Sequence, residues 1–235
     1  MTDRTALRGS LIEGLRACRD TERAVFAALD PAARDAPGPD GGWSAKDSLA
    51  HLSAWRRRQA AKMAAIRAGG PEPDLPGGDD LDATNAIFHA ERADWDWDRV
   101  DADADASADE LIAEIGAAGD DALGDQKVVG SIMGDGPEHD IAHLGSIAAI
   151  VGLEDRVLDL AELTRTLIDR DDWPDGSAAY ARYNLACFHA LGGRLDEARS
   201  LLRQALPAEA ALRQHAPTDD DLIALRDELP SLAVR

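Results

Sequence analysis

The chain has 235 residues, 45% of them hydrophobic, enough to build the core of one large domain or two small ones. Lys and Arg number 25 against 45 Asp and Glu, a formal net charge of −20. Such an acidic surface repels phosphate backbones and anionic lipid, which disfavours nucleic-acid and membrane-surface roles; Arg56-Arg57-Arg58 is too local to reverse this.

No apolar run follows Met1-Thr2-Asp3-Arg4-Thr5, and none reaches membrane-spanning length, so neither leader nor span is expected. Cys18 and Cys187 lack metal spacing and sit in apolar helical patterns, which argues against a disulfide framework. A soluble cytoplasmic protein is expected.

The pattern is helical throughout, with no stretch of β-branched, period-two alternation. A first helix is predicted over 4–29, with Leu7, Leu11, Leu15, Cys18, Val25 and Leu29 as its apolar stripe. Pro31 and the loop 37–42 end it. Ser44 is a good N-cap for a second helix, Asp47 completes a capping box, and Gly69-Gly70-Pro71 stops the helix near 68. A Pro/Gly/Asp-rich crossover covers 69–80, and a third helix follows over about 81–95. The acidic run Asp101 to Asp105 lacks the Gly and terminal Glu of a calcium loop and reads as a solvated loop. Ser107-Ala108-Asp109-Glu110 reads as a capping box opening a fourth helix to about 123. After a polar loop, Pro137 at a first helical position opens a fifth, with Ile141, Leu144, Ile147, Ile150 and Val151 on its buried side.

The character changes near residue 153. A helix over 154–169 and an Asp-rich stretch lead to two short helices divided by Gly192-Gly193. Small residues Ala186, Ala198 and Ala205 alternate with bulky Leu185, Leu202 and Leu206, a hairpin pattern that resembles one tetratricopeptide (TPR) repeat without its characteristic Trp. Helices at 154–169 and 207–228 are expected to cap it, because a lone repeat cannot bury its face.

Three of the six histidines stand out. His139 and His143 are four apart and share a helix face. His51 lies upstream in Trp43-Ser44-Ala45-Lys46-Asp47-Ser48-Leu49-Ala50-His51-Leu52. Three imidazoles around one divalent metal leave an open position, the pattern of catalytic rather than structural sites. The spacing alone is equally that of ordinary surface or core histidines. Asp47, four before His51, is placed to accept the second ring N–H of His51, or simply to cap its helix. Glu138, beside His139, is a candidate general base, or a first-turn acid complementing the helix dipole. Trp95 and Trp97 read as core cover before pocket wall, His89 as a surface or partly buried helix residue, and His189 and His215 as structural.

Residues 1 to about 150 resemble the DinB-like four-helix bundles, a superfamily that includes YfiT metal-dependent hydrolases, mycothiol-dependent maleylpyruvate isomerases and ClbS/DfsB resistance proteins. The resemblance lies in Trp-Ser-x-Lys-Asp-x-Leu-x-His-Leu-x-x-Trp from Trp43 to Trp55, in Asn85, and in His139-x-x-x-His143 followed by Leu144, Gly145 and Ile147. It implies that His51, His139 and His143 ligate a divalent metal, Zn²⁺ or Ni²⁺ foremost and Fe²⁺ next. The expected architecture is all-α: a metal-binding DinB-like bundle over 1–152 and a TPR-like extension over 153–235. The expected activity is metal-assisted activation of water or a low-molecular-weight thiol for attack on a small electrophile, by a hydrolase or thiol transferase of the detoxification or stress type. The alternative is a non-catalytic scaffold whose C-terminal helices bind a protein partner or a second copy.

Overall fold

The computed structural model describes residues 3–38, 42–174 and 176–234. Met1, Thr2, part of the expected 37–42 loop, and Asp175 of the Asp-rich stretch lie outside them. Among the described residues every regular element is a helix.

Helix α1 (Thr5–Ala28) buries the predicted stripe of Leu7, Leu11, Leu15, Cys18 and Val25. Asp30 then caps the short α2 (Pro31–Asp35) by accepting from the Ala32 N–H. Both arms of the predicted capping box form at the start of α3 (Ala45–Ala68): the Ser44 side chain takes the Asp47 N–H, and Asp47 takes the Ser44 N–H. Gly69, at φ 68°, ends α3 in the left-handed conformation that favours glycine. Helix α4 (Leu81–Arg92) starts from an Asp80 cap and ends earlier than predicted.

Four expectations fail in the next stretch. Helix α5 (Trp97–Ala117) begins at an Asp96 cap and runs straight through 101–105 and Ser107. The acidic run is helical because cations neutralise it: Asp101 and Asp105 meet Arg19, and Asp103 meets Arg57. Ser107 is buried and donates its hydroxyl to the Ala104 carbonyl instead of capping a helix. The predicted fourth helix ends at Ala117 and is followed by the separate short α6 (Asp120–Gly124). The predicted polar loop is largely α7 (Gln126–Gly134), which buries Val128, Val129, Ile132 and Met133.

Helix α8 (Pro137–Val151) opens on Pro137 and closes on Gly152 at φ 68°. Helices α1, α3, α5 and α8 form the bundle: α5 packs on α1 and α3, and α8 on the same two. Helix α4 lies against α3, and α9 (Glu154–Ile168) covers α1 and α8.

Beyond it, α10 (Ser177–Leu191) and α11 (Leu195–Ala208) make the predicted hairpin, with Ala186, Ala198 and Ala205 wholly buried. Its other neighbours are the bundle side, where α10 packs on α7, α8 and α9, and the C-terminal segment, whose 3₁₀ turn over 220–225 packs on α10. The single helix predicted over 207–228 is absent. Glu209, with extended backbone, ends α11 and caps α12 (Ala210–His215); 3₁₀ turns and α13 (Leu229–Leu232) follow. Pro217 and the Asp219 cap, which accepts from the Asp221 N–H, restart the chain within that span.

Candidate metal centre

Helices α3 and α8 bring the three sequence-singled histidines together. The centroids of the His51, His139 and His143 rings are each 4.8 Å from the other two. One ligand nitrogen from each ring lies within 4.8 Å of the others. His51 Nε2 and His139 Nε2 face each other at 2.9 Å. Two ring lone pairs cannot share that distance without a proton or a cation between them. Ligands about 2.0–2.1 Å from a tetrahedral ion stand about 3.3 Å apart, so the arrangement fits a divalent cation with a small opening of the pair.

Burial keeps the rings neutral, the form that binds metal. It lowers the His51 pKa to about 3, with His143 contributing. It also pushes His139 well down, aided by the neighbouring histidines and Arg56, and lowers His143. His51 Nδ1 and His139 Nδ1 are buried without a hydrogen-bond partner among the described residues. Asp47 does not serve His51 as the sequence suggested. Its Oδ2 is held by Ser44, and its Oδ1 lies 3.5 Å from His89 Nε2. Its capping duty wins because Ser44 is local and already positioned.

The histidines wall a cavity of 510 Å³, closed on one side by Trp43, Trp55, Leu75 and Leu81. The Trp43 and His51 ring centroids are 4.7 Å apart, and His89 stacks on the same indole at 5.6 Å. Asn85 accepts the Trp55 indole N–H at 3.0 Å, which fixes that wall. Trp97 is instead near Phe26 at 5.6 Å and under Arg34 at 4.5 Å, and Trp95 lies beneath Arg99 at 4.0 Å. Neither lines the histidine cavity. His189 accepts from Arg194 at 3.0 Å, and His215 lies 3.5 Å from Asp219, both in the tail.

Two further acids matter here. Asp135 lines the cavity, and burial raises its pKa to about 7 although Arg58 and Lys62 pull the other way. Asp140, between the two histidines of α8, is fully buried and contacts Arg56 Nη2 at 2.5 Å. The same guanidinium pairs with Glu22 of α1, which Arg19 also contacts. Burial opposes the Arg56 charge, but Asp140 and Glu22 together outweigh it and raise its pKa. Arg56 is fully buried while its neighbours Arg57 and Arg58 are only partly so, a difference the run of three arginines does not show in sequence.

Glu138 is buried and accepts from Asn184 Nδ2 of α10. It lines the 600 Å³ cavity between α8 and the tail and is not among the residues lining the histidine cavity. Burial raises its pKa to about 7, with the Asn184 contact acting against the rise. In the tail, Cys187, Asp219 and Asp221 also cluster within 4.8 Å. There burial and both carboxylates push the thiol pKa up, and Tyr183 donates to Asp219 at 2.7 Å, so this group is already satisfied by protons.

No helix among the described residues is long and apolar enough to cross a membrane. No curated relative and no solved structure matches the chain. A sequence model of the DinB superfamily matches residues 15–155, a span that holds α3, α8 and all three clustered histidines. With more than half its length covered by that match, the chain belongs to the DinB superfamily.

Proposed function

We propose that this protein is a metal-dependent enzyme acting on a small electrophilic substrate, as a hydrolase or a transferase using a low-molecular-weight thiol. One observation carries the reading: three neutral imidazoles, that of His51 buried and those of His139 and His143 half-buried, converge within ligand reach on the wall of a substrate-sized cavity. A divalent metal on His51, His139 and His143 would lower the pKa of water or thiol at its open position toward neutrality.

The chain's own residues do the rest. Trp43, Trp55, Leu75 and Leu81 exclude water and hold the apolar part of the substrate. Asn85 holds the Trp55 ring in place. Asp135 is the proton carrier of this reading: a carboxyl with a pKa of about 7 can take a proton at Oδ and return it near neutral pH. Glu138 would have to leave Asn184 to play that part. The two buried free thiols suit a reducing compartment such as the cytoplasm.

A scaffold role for the tail has less support, because α10 spends a face on the bundle and its Asn184 reaches the residue before His139. The test is turnover of activated esters and of thiol acceptors by zinc- or nickel-loaded protein. Turnover that needs the metal and disappears in His143→Ala supports the enzyme reading; turnover indifferent to chelator contradicts it.

A further inference from the structure

We propose that the substrate of this site carries a carboxylate, and that Arg58 receives it beside the three histidines. The inference rests on the metal-centre reading above and names the class of molecule that centre serves.

Three consecutive arginines on α3 have three different surroundings. Arg56 is buried between Glu22 and Asp140, and Arg57 is bound by Asp103 and Glu110. Arg58 lines the histidine cavity and donates no hydrogen bond to any described residue. Its nearest acid, Asp135 Oδ2, stands 3.8 Å from Nη1, beyond hydrogen-bond range, and its Nε is buried without a partner. The guanidinium is positioned by packing, 5.6 Å from the centroid of the Trp55 ring. A mostly buried, hydrogen-bond-free fork of N–H donors facing a cavity matches a planar bidentate acceptor, which a carboxylate is.

The charge balance agrees. The chain as a whole is at −20, so an anion is attracted only where local cations dominate. The charged groups lining this cavity are Arg58 and Asp135, alongside neutral histidines. A divalent metal would make the cavity a positive point in an acidic protein. Asp135 offsets part of that charge, which favours a monoanion over a phosphate dianion. The apolar wall of Trp43, Trp55, Leu75 and Leu81 asks for an apolar or aromatic body behind the carboxylate.

The test is calorimetric titration of zinc-loaded protein and its Arg58→Gln variant with phenylacetate, neutral phenylacetamide and phenyl phosphate. Zinc content and thermal unfolding are measured on each sample. The expected result is phenylacetate binding to the parent chain at least about tenfold tighter than phenylacetamide, with that advantage lost in Arg58→Gln at unchanged zinc content. Equal phenylacetate affinity in both proteins would overturn the inference, as the carboxylate would then rest on the metal alone. Tighter Arg58-dependent binding of phenyl phosphate, or no binding of phenylacetate, would overturn it too. If neither protein holds zinc, the metal-centre reading fails by itself. The same titrations on metal-free protein then decide the Arg58 inference, retained if phenylacetate binding still depends on Arg58 and lost if it does not.

Discussion

Arg56 and Asp140 meet at 2.5 Å in the buried interior between α3 and α8, the two helices on which His51 and His139 face each other at 2.9 Å. His51 and Arg56 lie five apart on α3, and Asp140 sits between His139 and His143 on α8. With Glu22 of α1 on the same guanidinium, one cation ties together three bundle helices and fixes their register at the level of the histidines. Removing one member of such a buried group leaves the others uncompensated, which is far costlier than losing an exposed pair.

Arg56→Met keeps the bulk and removes the charge. It should cost about 3–5 kcal/mol in urea unfolding, while Arg57→Met, whose pairs are partly solvated, should cost less than about 1 kcal/mol. Similar losses for the two neighbours would mean that the buried group does not hold the bundle.

Glu138 gives a pH-dependent prediction. Its folded pKa is about 7 against an ordinary 4.5, so the folded state binds the proton more readily than the unfolded one. Above pH 7 both states are ionised and the folded protein carries the full cost of the buried charge. As pH falls from 7 to 4.5 that cost disappears. Glu138→Gln, which can still accept from Asn184, should therefore be more stable than the parent by about 3 kcal/mol at pH 8, with the gap narrowing to less than about 1 kcal/mol at pH 5. A gap of equal size at both pH values would contradict the assigned burial.

Gly136 tests the seating of α8. A Cβ there would fall 2.7 Å from the Ile132 carbonyl oxygen and 2.9 Å from Leu15 Cδ2, and the backbone oxygen cannot yield. Gly136→Ala should destabilise by about 1–3 kcal/mol and weaken zinc binding by shifting His139. Gly9, exposed in α1 with nothing within 4 Å, should instead gain about 0.5–1 kcal/mol as Ala. Unchanged zinc affinity in Gly136→Ala would show that α8 can move without moving the ligands.

Much of this was legible in the sequence because local signals and tertiary demands agree there. The Ser44 capping box, the Gly69 stop and Pro137 fix helix ends through backbone chemistry alone. The i, i+4 spacing of His139 and His143 needs only one helix to become a pair. Where the reading failed, distant charges decided. Asp101, Asp103 and Asp105 look solvated until Arg19 and Arg57 are brought across from other helices. For the same reason Arg56-Arg57-Arg58 reads as one basic cluster in sequence, although its members face a buried acid pair, a surface acid pair and a cavity. Asp135 gave no motif, since only the fold carries it to the histidines.

The most direct test of the central claim is metal content per chain, on protein purified without a metal-affinity tag and then incubated with Zn²⁺ or Ni²⁺. The account predicts about one equivalent in the parent chain and none in the His51→Ala/His139→Ala double variant. No metal in the parent, or equal metal in both proteins, would contradict it.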